Sequence, residues 1–183
     1  MSGGQYSIGT AAGAERATDV GRHALDDAMF TFRRYRDLGE RAMAQLSDDE
    51  LRATIDDESN SVALVVKHIG GNLRSRWTDF LTTDGEKPDR DRDSEFVLDA
   101  PPTRAQVMAW WDDGWASLQN ALQSLRPEDL LGRVTIRGEP HTVLQAINRS
   151  LAHVAYHVGQ IVFLAKHLKA TEWKTLSIPK KKS

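Results

Sequence analysis

Apolar residues recur at helical spacing in four long stretches of the chain. The first runs from about Thr18, which can cap it, to Leu46, through Val20, Leu25, Met29, Phe30, Tyr35, Leu38 and Met43. Ser47-Asp-Asp-Glu50 follows with the spacing of a capping box and opens a short helical turn. The second stretch starts at Ser59 or Ser61 and reaches Leu81, carrying Val62, Val65, Val66, Ile69, Leu73, Trp77 and Phe80. Thr103 opens the third, with Val107, Trp110, Trp111, Trp115, Leu118, Leu122 and Leu125, and it ends before Pro127. The fourth, from about Thr142 to Leu168, spreads its apolar residues over more than half of the helix circumference, so it is expected to be largely buried.

Between these stretches the pattern breaks twice. Residues 82–102 are polar, with turn signals at Asp84-Gly85 and Pro101-Pro102. A segment of that length is either a functional loop or a solvated connection. Residues 131–142 hold the β-prone Val134-Thr-Ile136 and a turn at Arg137-Gly-Glu-Pro140, which predicts a short hairpin or extended excursion. The whole predicts an all-α chain, a four-helix up-and-down bundle with that excursion between its third and fourth helices. Residues 1–17, rich in Gly, Ala and Ser, are expected to be a flexible segment, and 18–183 a single domain with a solvated lysine-rich end.

Composition narrows the chemistry. The 183 residues carry 24 basic and 26 acidic side chains, a net charge of −2, which gives no case for nucleic acid or an anionic membrane as partner. There is no cysteine, which excludes disulfides, thiolate metal sites and a cysteine nucleophile. No apolar run approaches the ~20 residues of a membrane span, and the opening lacks the features of a signal peptide. The expected location is cytoplasmic.

Of the six histidines, His153 and His157 are the informative pair. A spacing of four puts both imidazoles on one helix face, one turn apart, where a single ion can bridge them. His68, midway along the second helix, could meet them across a bundle. Three neutral imidazoles with an open position suit Zn²⁺, Ni²⁺ or Fe²⁺. The alternative is that these are core histidines satisfied by hydrogen bonds. Asn72, Ser75 and Asp79 continue a polar stripe from His68, either as the solvent edge of the helix or as the lining of a cleft. By helix phase Asp79 and Tyr156 are the nearest candidates for a general base. His23 has no partner by spacing, His141 sits at the turn into the fourth helix, and His167 lies at that helix's edge. The tryptophans at 110, 111 and 115 fit a packing or dimer face better than a ligand site. H-E-x-x-H, E-x-x-H, G-x-S-x-G and the P-loop are all missing, and Gly70-Gly71 is too short to cradle a phosphate.

The segments VKHIGGNLRSRWTDFLTTDGEKPDRDRDSEF from the second predicted helix onward, AHVAYHVGQI on the fourth, and the ending EWKTLSIPKKKS together resemble a bacterial branch, of unassigned function, of the DinB/YfiT-like superfamily. The likeness spans roughly residues 18–183. It implies a four-helix bundle, usually a homodimer, and a divalent metal, zinc, nickel or similar, held by His68, His153 and His157. Some members of that superfamily are S-transferases or isomerases that use a low-molecular-weight thiol, and others are hydrolases. Two functions follow as expectations: a metal-dependent enzyme acting on a small molecule, or a non-catalytic dimeric bundle with a structural or vestigial metal site.

Overall fold

The structure is a computed structural model that describes residues 10–178. It is mostly helical: α1 (Thr10–Met43), the short α2 (Asp48–Arg52), α3 (Val62–Trp77), α4 (Arg104–Ser124) and α5 (Val143–Lys169), with one two-stranded sheet of β1 (Arg133–Ile136) and β2 (Glu139–Thr142). The helices start where side-chain oxygens can take the free N–H groups of the first turn. Ser47 and Glu50, Thr103 and Gln106, and Thr142 and Gln145 form reciprocal capping boxes, and Ser61 accepts from the Leu64 amide.

One core serves all four long helices. In α1 the buried positions Leu25, Ala28, Phe32, Gly39 and Ala42 repeat at helical spacing, while α3 is buried almost all round. α3 packs most closely on α4 and also on α5, and α1 packs on α5 and, less, on α4. Glycines set the α3–α4 distance. A Cβ at Gly114 would lie 2.6 Å from the Gly70 Cα, and one at Gly70 would strike the Trp110 carbonyl. Gly70 is thus a packing residue. Trp111 and Trp115 are fully buried, edge to face at 5.3 Å, and Trp111 Nε1 donates to Glu40 at 3.1 Å. That pair is core, not a free face.

α3 and α5 run antiparallel. His68, midway along α3, meets His153, and nine residues on Trp77 Nε1 donates to the Ser150 hydroxyl at 3.1 Å. These two links fix which faces of α3 and α5 look at each other.

Three boundaries differ from the sequence reading. α1 is helical from Thr10, so Thr18 lies inside it and is not its cap; residues 1–9 of the expected loose opening, and Lys180–Lys182, lie outside the described residues. α3 stops at Trp77 rather than Leu81. The Thr78 hydroxyl donates back to the Arg74 carbonyl at 2.7 Å, and Asp79 turns left-handed at φ 46°, its carbonyl accepting from Thr82 and Thr83. The turn of the predicted hairpin is only two residues long, Arg137 and Gly138, both at positive φ, so that Glu139 and Pro140 are already strand and Ile136 pairs with Glu139.

Asp84 holds that turn. Its carboxylate accepts from the amides of Arg137 and Gly138, both at 2.8 Å, and of Glu86 at 2.7 Å. Desolvation works to raise its pKa, but these three amides outweigh it and keep the group below its ordinary 3.8. A depressed pKa in the folded state means that the stabilisation is complete above the unfolded value and fades as the pH falls through the folded one. The protection factors of the Arg137 and Gly138 amides are therefore expected to fall selectively on acidification below about pH 4, and to be low already at neutral pH in Asp84→Ala. If these two amides lose no more protection than other hairpin amides in both experiments, Asp84 does not hold the turn.

Candidate metal centre

His68 projects from the middle of α3 and His153 and His157 from one face of α5, so the antiparallel packing brings the three rings together. Ring centroids lie 4.5 Å apart for His153–His157, 4.8 Å for His68–His157 and 5.2 Å for His68–His153. One ring nitrogen from each falls within 4.8 Å of the others. His68 is buried and the other two are half-buried.

Two of the rings are oriented by acceptors behind them. His68 Nδ1 lies 2.8 Å from Glu95 Oε2, and His157 Nδ1 lies 2.7 Å from the Gln160 amide oxygen. An acceptor at Nδ1 requires the proton there, which leaves Nε2 with its lone pair facing the cluster. Glu95 is itself clamped by Arg90, through Nε to Oε1 and Nη2 to Oε2, both at 2.8 Å. Burial alone would raise the Glu95 carboxyl; hydrogen bonds from His68 and Arg90 overcome this and hold it below the usual carboxylate range.

His153 tests the alternative of satisfied core histidines. Its Nε2 is 3.2 Å from His68 Nε2, and its Nδ1 is buried without any hydrogen-bond partner. If His153 donates to His68, a bare Nδ1 acceptor stays buried; if it carries its proton on Nδ1, two Nε2 lone pairs face each other. Neither tautomer satisfies the ring. A cation held by the three histidines would relieve this repulsion. Burial, then the neighbouring His157 and His68, press the His153 pKa down to about 3, and burial lowers that of His157. Neutral imidazoles are the form that ligates a divalent ion. The donor set therefore fits a metal such as Zn²⁺, Ni²⁺ or Fe²⁺.

The rings open onto a cavity of about 560 Å³ between α3, α5 and the loop that follows α3. Of the predicted polar stripe, Asn72 lines this cavity, while buried Ser75 binds the loop instead, donating to the Gly85 carbonyl at 3.2 Å and accepting from the Lys87 amide at 3.0 Å. Asp79 is not there. It lies past the end of α3 and lines two other pockets instead, which overturns it as a base candidate. Tyr156 is at the cavity, exposed, its ring 4.9 Å from that of His157. His23 and His167 are exposed elsewhere, and His141 lies in β2 with Nδ1 3.0 Å from the Glu139 carbonyl.

The loop between α3 and α4 contributes what the sequence reading missed. Lys67 reaches over to the carbonyls of Ser94 and Val97 at 2.7 and 2.8 Å, the Phe96 ring packs 4.6 Å from that of His68, and Glu95 is inserted beneath. Gly71 makes the room: a Cβ there would collide with the Glu95 carboxylate. The available signal was Phe96-Val97, an apolar pair next to an acid in an otherwise polar segment. Glu95→Gln keeps an acceptor for His68 and discards the charge. It should weaken metal binding about tenfold, in line with other groups that orient a ligand, as measured by competition against a chelating dye. An unaltered affinity would reduce Glu95 to a counterion for Arg90.

The structure is mostly helical, and three convergent imidazoles beside a polar cavity form a cluster that could hold a metal ion. The chain belongs to the DUF1572 family, described as a protein of unknown function, whose family model matches residues 19–182. No curated protein and no solved structure matches it.

Proposed function

We propose that this chain is a metal-dependent enzyme acting on a small molecule, with His68, His153 and His157 as the ligands and a thiol-dependent S-transfer as its reaction. The observation that carries the reading is the convergence of three imidazoles, two of them oriented from behind by Glu95 and Gln160, on the wall of a cavity. A divalent ion held by these residues would supply a Lewis acid, able to lower the pKa of a nucleophile or polarise a carbonyl.

The remaining residues favour a thiol over water. Activating water at neutral pH calls for a base to take its proton, and no carboxylate stands among the described residues lining the cavity. A thiol, with a free pKa near 8.5, starts much closer to ionisation than bulk water at about 15.7, so it would form its anion at a metal without a base, whereas water would rely on the metal for almost all of that shift. Tyr156, at the cavity mouth beside His157, is the group placed to hold or pass a proton there. A structural zinc is less well supported, since it takes four protein ligands and only three converge among the described residues.

We further infer that the fold is the four-helix bundle of the DinB/YfiT-like superfamily. Supporting this are the four long helices around one core and the placement of one histidine on the second of them and two on the fourth. An experimental structure with a different helix connectivity would refute that assignment.

The functional test is metal analysis of protein purified without a histidine tag, followed by two assays. One follows consumption of a small thiol in the presence of an electrophile; the other follows ester or amide hydrolysis without thiol. Turnover that requires both the metal and the thiol is the expected result. Hydrolysis without thiol would overturn S-transfer in favour of a hydrolase, and a stoichiometric metal with neither activity would favour the structural centre.

A further inference from the structure

The cavity extends beyond the histidines toward a second cluster of one chemical type. On α3, His68, Asn72 and Arg76 line it at steps of four; on α5, Arg149, His153 and His157 do the same in the opposite direction. The histidines therefore occupy one end and Arg76 and Arg149 the other, about 12 Å further along the helix axis from His68 to Arg76. Arg90, Arg92 and Arg137 complete five guanidinium groups around a cavity whose described lining contains no Asp or Glu.

Some of these charges are answered from behind. Arg90 is bound by Glu95 and Glu86, Arg92 lies 3.6 Å from Asp93, and Arg137 lies 3.2 Å from Glu86. Two are not. Arg149 makes no hydrogen bond or ion pair among the described residues. Arg76 is buried, with 8% of its side chain exposed, yet its guanidinium makes no hydrogen bond among the described residues; its one carboxylate, Glu86, is 3.9 Å away and shared with Arg90 and Arg137, and its Nη1 is buried without a partner. Burial lowers the Arg76 pKa to about 10, opposed by Glu86 and assisted by the charges of Arg149, Arg90 and Arg137. It stays a cation at neutral pH, surrounded by like charges.

A buried guanidinium without acceptors is costly, and an arrangement of several is tolerable when the cavity receives an anion. Guanidinium forks match the paired oxygens of carboxylate and phosphate. We propose that the cavity takes a small organic anion, its carboxylate or phosphate held between Arg76 and Arg149 with Arg137 nearby, and its reacting group extended to the histidine end. The volume of about 560 Å³ suits such a molecule. The placement of the reacting group rests on the metal reading above; the anion subsite rests on the arginines alone.

The test uses the full chain stripped of metal and titrated calorimetrically at constant ionic strength with inorganic phosphate and, separately, with succinate. Saturable binding of at least one is expected, and the stronger of the two identifies the oxyanion. Arg149→Gln, at an exposed position where folding is safe, and Arg76→Gln should each weaken binding about tenfold, the loss of one good charge-assisted contact. Glu86→Gln removes the competing internal carboxylate and should tighten it, an effect of opposite sign that mere structural disturbance does not give. Absence of saturable binding, or equal binding by Arg149→Gln and Arg76→Gln to that of the wild type, would overturn the inference. Zinc uptake by the same preparations separates the two readings: zinc bound without phosphate or succinate defeats the anion subsite alone, and anion bound by protein that takes up no zinc supports the subsite and defeats the metal centre alone.

Discussion

His153→Ala is expected to lose stoichiometric metal and to keep its fold. His153 touches both other rings, with its Nε2 against His68 and its ring 4.5 Å from that of His157. Two imidazoles one helix pair apart make a poor site for Zn²⁺ or Ni²⁺ compared with three. The stability of the metal-free variant carries the sharper information. Replacing the ring deletes a buried nitrogen that has no partner and a group whose charged form burial opposes. The metal-free variant should therefore melt no lower than metal-free wild type, whereas removal of an ordinary buried, satisfied side chain costs stability. Elemental analysis and paired melting curves decide the matter. Metal retained in full by the variant, or a metal-free variant that melts well below wild type, would return His153 to the core.

Gly70→Ala is expected to be the most destabilising small change in the molecule. The new methyl group would be driven into the Trp110 carbonyl, with the Trp110 carbonyl carbon 2.9 Å away, at a crossing where Gly114 already touches the Gly70 backbone. Backbone cannot rotate aside as a side chain does, so the cost belongs near the top of the range for overpacking, about 3 kcal/mol, or roughly 6 to 12 °C in Tm for a chain of this size. Because His68 lies two residues upstream, separation of α3 from α4 should weaken metal binding as well. Gly159→Ala supplies the control. That glycine is exposed on α5, and a methyl group placed there would meet nothing within 4 Å, so alanine should stabilise by about 0.5–1 kcal/mol. Equal melting temperatures for the two variants would mean that the crossing is looser than it stands.

The helices and the histidines were legible in the sequence because both depend on period. Apolar positions at helical spacing mark the faces of α1, α3, α4 and α5, and a spacing of four places His153 beside His157 without further information. Asp79 shows where periodicity fails. Its phase matched His68 only on an unbroken helix, and the hydroxyl of Thr78 ends that helix one residue after Trp77. Glu95 and Arg90 were out of reach for a related reason. They sit in a segment of alternating charges that reads as solvated, and their burial follows from tertiary contacts with Lys67, Gly71 and His68 that no local pattern encodes. The arginines at 76 and 149 are separated by all of α4 and the hairpin, so only the antiparallel docking of α3 and α5 makes them a pair.

The Glu95–His68 bond also bears on the order in which the centre is assembled. It joins residues 27 apart, whereas His68 and His153 are 85 apart. Closing the shorter loop is cheaper by about 1 kcal/mol of chain entropy. The contact that orients His68 is thus made within the α3–α4 segment, whereas the three-histidine cluster also needs α5, so a destabilised α5 would scatter the cluster before it disturbed the bond between Glu95 and His68.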